Sequence, residues 1–192
     1  GWLVWNDDHQ GSHFTDLPVV GEITWSVKLG GMRFQRKAKK GKKGMDSMLG
    51  CKEGCGAILD SGTSLLAVPS SIYKKAFHTL STLDMDCSDM SRWPDLVLEL
   101  GDTNLHLPPE SYVGQLVGDM PNEVSKLMHL RNWGKVDQDN SANASANASL
   151  TKCEFLMMDM GEQKTQLGPM ALLGMPFFRE FFTTFHLGKG PG

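Results

Sequence analysis

The chain has 192 residues, 40% of them hydrophobic and 21% charged, enough for one domain with a core. Nineteen Lys and Arg against 22 Asp and Glu give a formal charge of −3, which argues against a nucleic-acid binder, and no apolar stretch reaches the roughly 18 residues of a membrane span. It begins at Gly1 rather than Met and ends in Gly188-Lys189-Gly190-Pro191-Gly192, so it reads as a piece of a longer protein.

Val19 to Leu29 alternates loosely and is rich in β-branched and aromatic residues, which predicts a strand. Gly30-Gly31 then reads as a turn into Met32-Arg33-Phe34. Arg36 to Lys43 is a basic run, read as a solvated hairpin loop. Ala57-Ile58-Leu59 is a short apolar strand ending at Asp60. Ser70 reads as the N-cap of an amphipathic helix carrying Ile72, Tyr73, Ala76, Phe77 and Leu80. Leu96, Leu98 and Leu100 mark a strand that turns at Gly101 into Leu105-His106-Leu107, a hairpin stopped by Pro108-Pro109. Glu123 to Trp133 reads as a short helix. Phe155 to Met160 and Met170 to Leu173 read as strands, Pro176 to Glu180 as a helical turn, and Phe181 to Leu187 as a last strand. The balance is mainly β, antiparallel with short helices, and no solenoid-length repeat is visible.

Four cysteines, Cys51, Cys55, Cys87 and Cys153, allow three pairings if all are oxidised, of which Cys51–Cys55 with Cys87–Cys153 is the most economical. A zinc site lacks histidines at ligand spacing, and buried thiols are the remaining alternative. Asn143-Ala144-Ser145 and Asn147-Ala148-Ser149 are N-glycosylation acceptors if the chain enters a secretory lumen. They lie in the low-complexity run 139–149, a Ser/Asn/Ala-rich stretch that also generates such triplets by chance. Together with the cysteines they favour an oxidising compartment.

The sharpest local feature is Ile58-Leu59-Asp60-Ser61-Gly62-Thr63-Ser64. An apolar strand delivers a carboxylate to a turn of small, hydroxyl-bearing residues. Gly62 lets the backbone approach Asp60, and nearby hydroxyls and amides can orient the carboxylate. A serine hydrolase would need a Gly-x-Ser-x-Gly frame, which neither Ser61 nor Ser64 has.

This stretch resembles the second active-site motif of pepsin-like aspartic proteases, and the match continues on both sides. Cys51-Lys52-Glu53-Gly54-Cys55 precedes it like that family's small disulfide loop, and Leu65-Leu66-Ala67-Val68-Pro69 follows it into a helix. Cys87-Ser88-Asp89 with Trp93-Pro94-Asp95-Leu96-Val97-Leu98, Pro108-Pro109-Glu110-Ser111-Tyr112-Val113, Ala171-Leu172-Leu173-Gly174 and Phe177-Phe178-Arg179-Glu180-Phe181-Phe182-Thr183-Thr184-Phe185 resemble later elements in order. The ordered set spans about Pro18 to Leu187. The resemblance implies the C-terminal lobe of such a protease across 1–192, with residues 36–43 and 114–151 as insertions and the N-terminal lobe absent.

It also implies roles. Asp60 would be the catalytic aspartate of this lobe. Ser61 would brace the two active-site loops, and Thr63 would hydrogen-bond the aspartate's outer oxygen and touch substrate. Leu173-Gly174 would pack beneath the loop. His186 departs from the family's usual Asp.

The mechanism needs two carboxylates sharing a proton around one water, with no metal and no cofactor. A second Asp-Thr/Ser-Gly is not found; Asp46-Ser47-Met48 lacks the glycine. The expected activity is therefore that of an aspartic endopeptidase on peptide or protein substrates, the other aspartate coming from the missing N-terminal lobe. A homodimer supplying two copies of Asp60, or a silent binding module on the same fold, is the alternative.

Overall fold

The computed structural model describes residues 4–5, 14–38, 44–83, 89–117 and 151–187. The helix expected over Glu123 to Trp133, the run 139–149, Cys87, Asn143 and Asn147 lie outside them.

Its centre is β1 (Ser26–Arg36), which pairs antiparallel with three strands. Toward its start it meets β3 (Cys55–Leu59), and toward its end β2 (Met45–Gly50). Its other edge pairs with β5 (Asp95–Leu100), which forms a hairpin with β6 (Thr103–Leu107). The sheet continues from β3 to β11 (Gly168–Leu173), β4 (Leu66–Val68) and β9 (Met157–Asp159). β10 (Lys164–Thr165) pairs with β11, and β7 (Val113–Val117) and β8 (Thr151–Phe155) form a separate two-stranded ribbon. The antiparallel pattern has two exceptions, since β11 runs parallel to β3 and β9 parallel to β4.

The helices are short: α1 (Ser70–Ser81), a 3-10 turn over Met90–Arg92, α2 (Pro109–Tyr112) and α3 (Met175–Glu180). α1 turns Ile72, Ala76 and Leu80 into the core. Gly50 allows this approach, because a Cβ there would lie 2.6 Å from Ile72 Cγ1. Phe34, Tyr112, Leu96, Leu98 and Leu100 are fully buried. The Tyr112 hydroxyl donates to the Pro94 carbonyl at 2.5 Å. Burial, with the Asp95 and Glu110 carboxylates nearby, pushes its pKa well up.

Several expectations need correction. Gly30-Gly31 is not a turn: β1 runs straight through it, with a register shift against β5 between Leu29 and Gly31. Val27 and Leu29 are buried before the shift, Met32 and Phe34 after it. The irregularity moves the buried set from odd to even positions, and so keeps one apolar face on the core. Gly31 leaves room for the Glu99 carboxylate, which is ion-paired with Arg33 and would have to shift to make way for a Cβ there.

Val19 to Trp25 is not strand. The Val20 N–H donates to the Ser26 carbonyl at 2.8 Å, closing a turn before β1 begins. Pro69, not Ser70, occupies the N-cap of α1; Ser70 is the first helical residue, and its hydroxyl donates to the Asp159 carboxylate at 2.6 Å. Phe155 to Met160 is split at Leu156 between β8 and β9. Phe181 to Leu187 forms no strand: Phe181 ends α3 and the rest is irregular. It is held instead by rings, with Phe185 4.9 Å from Trp25 and 6.3 Å from Phe178. Aromatic richness fits any half-buried surface, and here that surface is a ring cluster rather than a sheet edge.

Candidate active site

β3 and β11 lie side by side in parallel, with Leu59 paired to Leu173, so both strands end at one level. Asp60 leaves β3 at that level. Its N–H donates to the Leu173 carbonyl at 3.1 Å, and the Leu59 N–H donates to the Trp25 carbonyl at 2.9 Å. The backbone then turns, with the Thr63 N–H on the Asp60 carbonyl at 3.1 Å.

That turn folds two donors onto the Asp60 side chain. The Gly62 N–H reaches Oδ1 at 2.9 Å, and the Thr63 hydroxyl reaches Oδ2 at 2.5 Å. Each carboxylate oxygen thus has its own donor, which fixes the plane of the group. Asp60 and Thr63 are half-buried, while Ser61, Gly62 and Ser64 are exposed.

The loop is clamped from below. A Cβ on Gly174 would overlap the carbonyl oxygens of Leu65 and Thr63. The Met175 N–H donates to the Thr63 carbonyl at 2.8 Å, which ties α3 to the loop. On the far side the Leu66 N–H donates to the Leu156 carbonyl at 2.9 Å.

The structure therefore brings together Asp60, Ser61, Gly62, Thr63, Leu173 and Gly174. Among the described residues, the hydrogen bonds of this loop involve no second carboxylate. Trp25, Met175 and Phe185 also belong to the surroundings of the loop. The ring contact between Trp25 and Phe185 leaves no mark in a linear pattern, because the two positions lie so far apart. The loop does not line the groove of about 650 Å³ that opens elsewhere in the molecule, at the far end of β1.

A disulfide joins Cys51 and Cys55, with Cα atoms 5.2 Å apart, directly ahead of β3. The bend is completed by left-handed backbone at Cys51 (φ 64°) and Gly54 (φ 97°). Cys153 is also disulfide-bonded. No helix among the described residues is long and apolar enough to cross a membrane.

A family model for eukaryotic aspartyl proteases matches residues 4–123, a range that contains the whole Asp60 loop. The chain is similar to vacuolar protease A of Neurospora crassa, with 26% identity over 192 residues, covering 95% of this chain and 37% of that protein. It is similar to cathepsin E of Rattus norvegicus, with 22% identity over 188 residues, covering 93% and 37%. It is also similar to pepsin A of Gallus gallus, with 24% identity over 172 residues, covering 88% and 35%. The chain thus spans little more than a third of the length of these curated relatives.

Proposed function

The chain belongs to the eukaryotic aspartyl protease family, and from that premise we propose that it carries one half of an aspartic endopeptidase active site, with Asp60 as its catalytic carboxylate. The observation that carries this reading is the Asp60 side chain itself, with both oxygens held by its own loop at the shared end of two parallel strands.

The second carboxylate comes from an N-terminal lobe outside this sequence. Two carboxylates around one water share a proton, because like charges so close do not both ionise easily. The ionised member takes a proton from the water, whose oxygen attacks the peptide carbonyl. The protonated member stabilises the oxyanion and then protonates the leaving nitrogen. Gly62 and Thr63 hold Asp60 in position, and Ser61, exposed beside it, braces the facing loop in this reading.

Substrates are peptides or proteins, and the compartment is vacuole-like or secretory. The names of the relatives and the disulfides support that setting, since structural disulfides persist in oxidising compartments. Cys87–Cys153 is the second bridge of this reading, and Asn143 and Asn147 its glycan acceptors.

The test is Asp60→Asn in the protein that joins this chain to its preceding lobe. Hydrolysis of an unfolded protein substrate at acid pH should disappear while the unfolding midpoint stays put. Cleavage at the wild-type rate by the variant would end the assignment.

A further inference from the structure

The Asp60 loop lies near one end of β1, where Ser26 pairs with Ile58. Eleven residues of strand rising about 3.3 Å each place Arg36 about 30 Å away, at the other end. There a groove of about 650 Å³ opens between the β1–β2 hairpin, the 3-10 turn and the start of α2.

Its lining is sorted by chemistry. Arg36, Lys37 and Arg92 supply three cations. Arg36 Nη1 donates to the Arg92 carbonyl at 2.6 Å, which holds the guanidinium across the groove instead of leaving it to sweep through solvent. Met90, Trp93 and Pro109 give an apolar floor, with Trp93 and Pro109 buried. Asp95 and Glu110 complete the lining, and Asp95 faces His106 Nδ1 at 3.4 Å.

We propose that this groove docks an acidic segment of a polypeptide. Its carboxylates lie against Arg36, Lys37 and Arg92, and its apolar side chains lie over Met90 and Trp93. Charge complementarity selects the partner: Arg36, Lys37 and Arg92 outnumber Asp95 and Glu110 along the lining, a locally positive groove on a chain of net charge −3. A uniformly anionic polymer, such as a sulfated glycan, would meet Asp95 and Glu110 with like charge at every step. A peptide can present an apolar or basic residue to them. The groove lies about 30 Å from Asp60 and shares no residue with its loop, so docking does not depend on the catalytic reading.

The experiment is fluorescence anisotropy of a short labelled peptide of alternating Glu and Leu, titrated with this chain. The double variant Lys37→Gln/Arg92→Gln removes two exposed cations and leaves the Arg36 hydrogen bond to the Arg92 backbone. It should unfold at the wild-type midpoint and bind about three- to tenfold more weakly, the size of two exposed ion pairs. Added salt should weaken wild-type binding, and a Gln/Leu peptide should bind little. Asp60→Asn should bind like wild type. Equal binding by the double variant, or equal binding of the Gln/Leu peptide, overturns the proposal. So does a heparin oligosaccharide that binds more tightly than the peptide and is indifferent to the double substitution.

Discussion

Gly62 and Gly174 border the same carboxylate and are needed for different reasons. A Cβ on Gly62 would stand 3.2 Å from Asp60 Oδ1, a tight contact that a small side-chain movement relieves. A Cβ on Gly174 would run into two backbone carbonyls, and neither can move without breaking the loop. Gly174→Ala should therefore destabilise the chain by about 3 kcal/mol, the upper range for overpacking, and Gly62→Ala by well under half of that. Urea unfolding of both variants checks the order, and equal midpoints would refute it. Thr63 is a separate case. Thr63→Val keeps the shape but removes the hydroxyl on Oδ2, a hydrogen bond to a charged acceptor that is half-buried. The expected loss is about 1–2 kcal/mol, recovered in Thr63→Ser, again by urea unfolding. The Asp60-Ser61-Gly62-Thr63 motif was legible in the sequence because all its side-chain bonds span three residues or fewer. The need for glycine at Gly174 was legible only through the family resemblance, because the atoms that exclude a Cβ lie more than a hundred positions away.

Local pattern located the core strands and misjudged where they begin, bend and break. Leu96, Leu98 and Leu100 alternate without interruption and are the inner face of β5. β1 alternates too, but with a change of phase at Gly30-Gly31, and the same dipeptide that ends one strand in most contexts here only shifts it. The N-terminus of α1 has a similar history. Ser70 has the chemistry of a cap, yet its hydroxyl is taken by Asp159, 89 positions along the chain. That bond has a pH signature. The Ser70 hydroxyl, then the Gly161 N–H, hold the Asp159 pKa below its ordinary value, with Lys74 adding to them. A carboxyl lowered on folding contributes stability above its unfolded pKa and loses it as pH falls through the folded one. Ser70→Ala should therefore raise the Asp159 pKa toward the ordinary carboxylate value, read by carboxyl NMR titration. The stability difference between wild type and variant should shrink as the solution is acidified below that range. An unmoved titration would show that the hydroxyl contributes nothing to the charge on Asp159.

At the scale of the molecule, several uncovered apolar residues among those described flank the ring contacts beside the Asp60 loop, while the groove lies at the far end of β1. The stretch 14–25 and the stretch 182–187 run together through the Phe14–Phe182 ring contact at 6.1 Å and the Trp25–Phe185 contact. Trp25 in turn accepts from the backbone of Leu59, one residue before Asp60. Along this margin Ile23 is 97% exposed, Leu187 87% and Phe182 64%. Large side chains left in water beside one another mark an association surface, and this one borders the loop whose carboxylate the proposed function pairs with a second. The 192-residue chain should accordingly self-associate as its concentration rises, and Ile23→Ser/Phe182→Ser should reduce that association without lowering the unfolding midpoint. Sedimentation velocity over a dilution series reads the first, and urea unfolding the second. The same series separates the two sources of a second aspartate. If two copies of Asp60 supply the dyad, peptide hydrolysis by the isolated chain rises with the square of its concentration below the dimer midpoint, and the double variant abolishes it. If the second carboxylate belongs to a lobe in the same polypeptide, the isolated chain associates without hydrolysing substrate. The joined two-lobed protein then cleaves at a rate linear in enzyme, which is the outcome expected here. Association with second-order cleavage would transfer the active site to the homodimer, and a chain that stays monomeric at every concentration would remove the apolar margin from the argument.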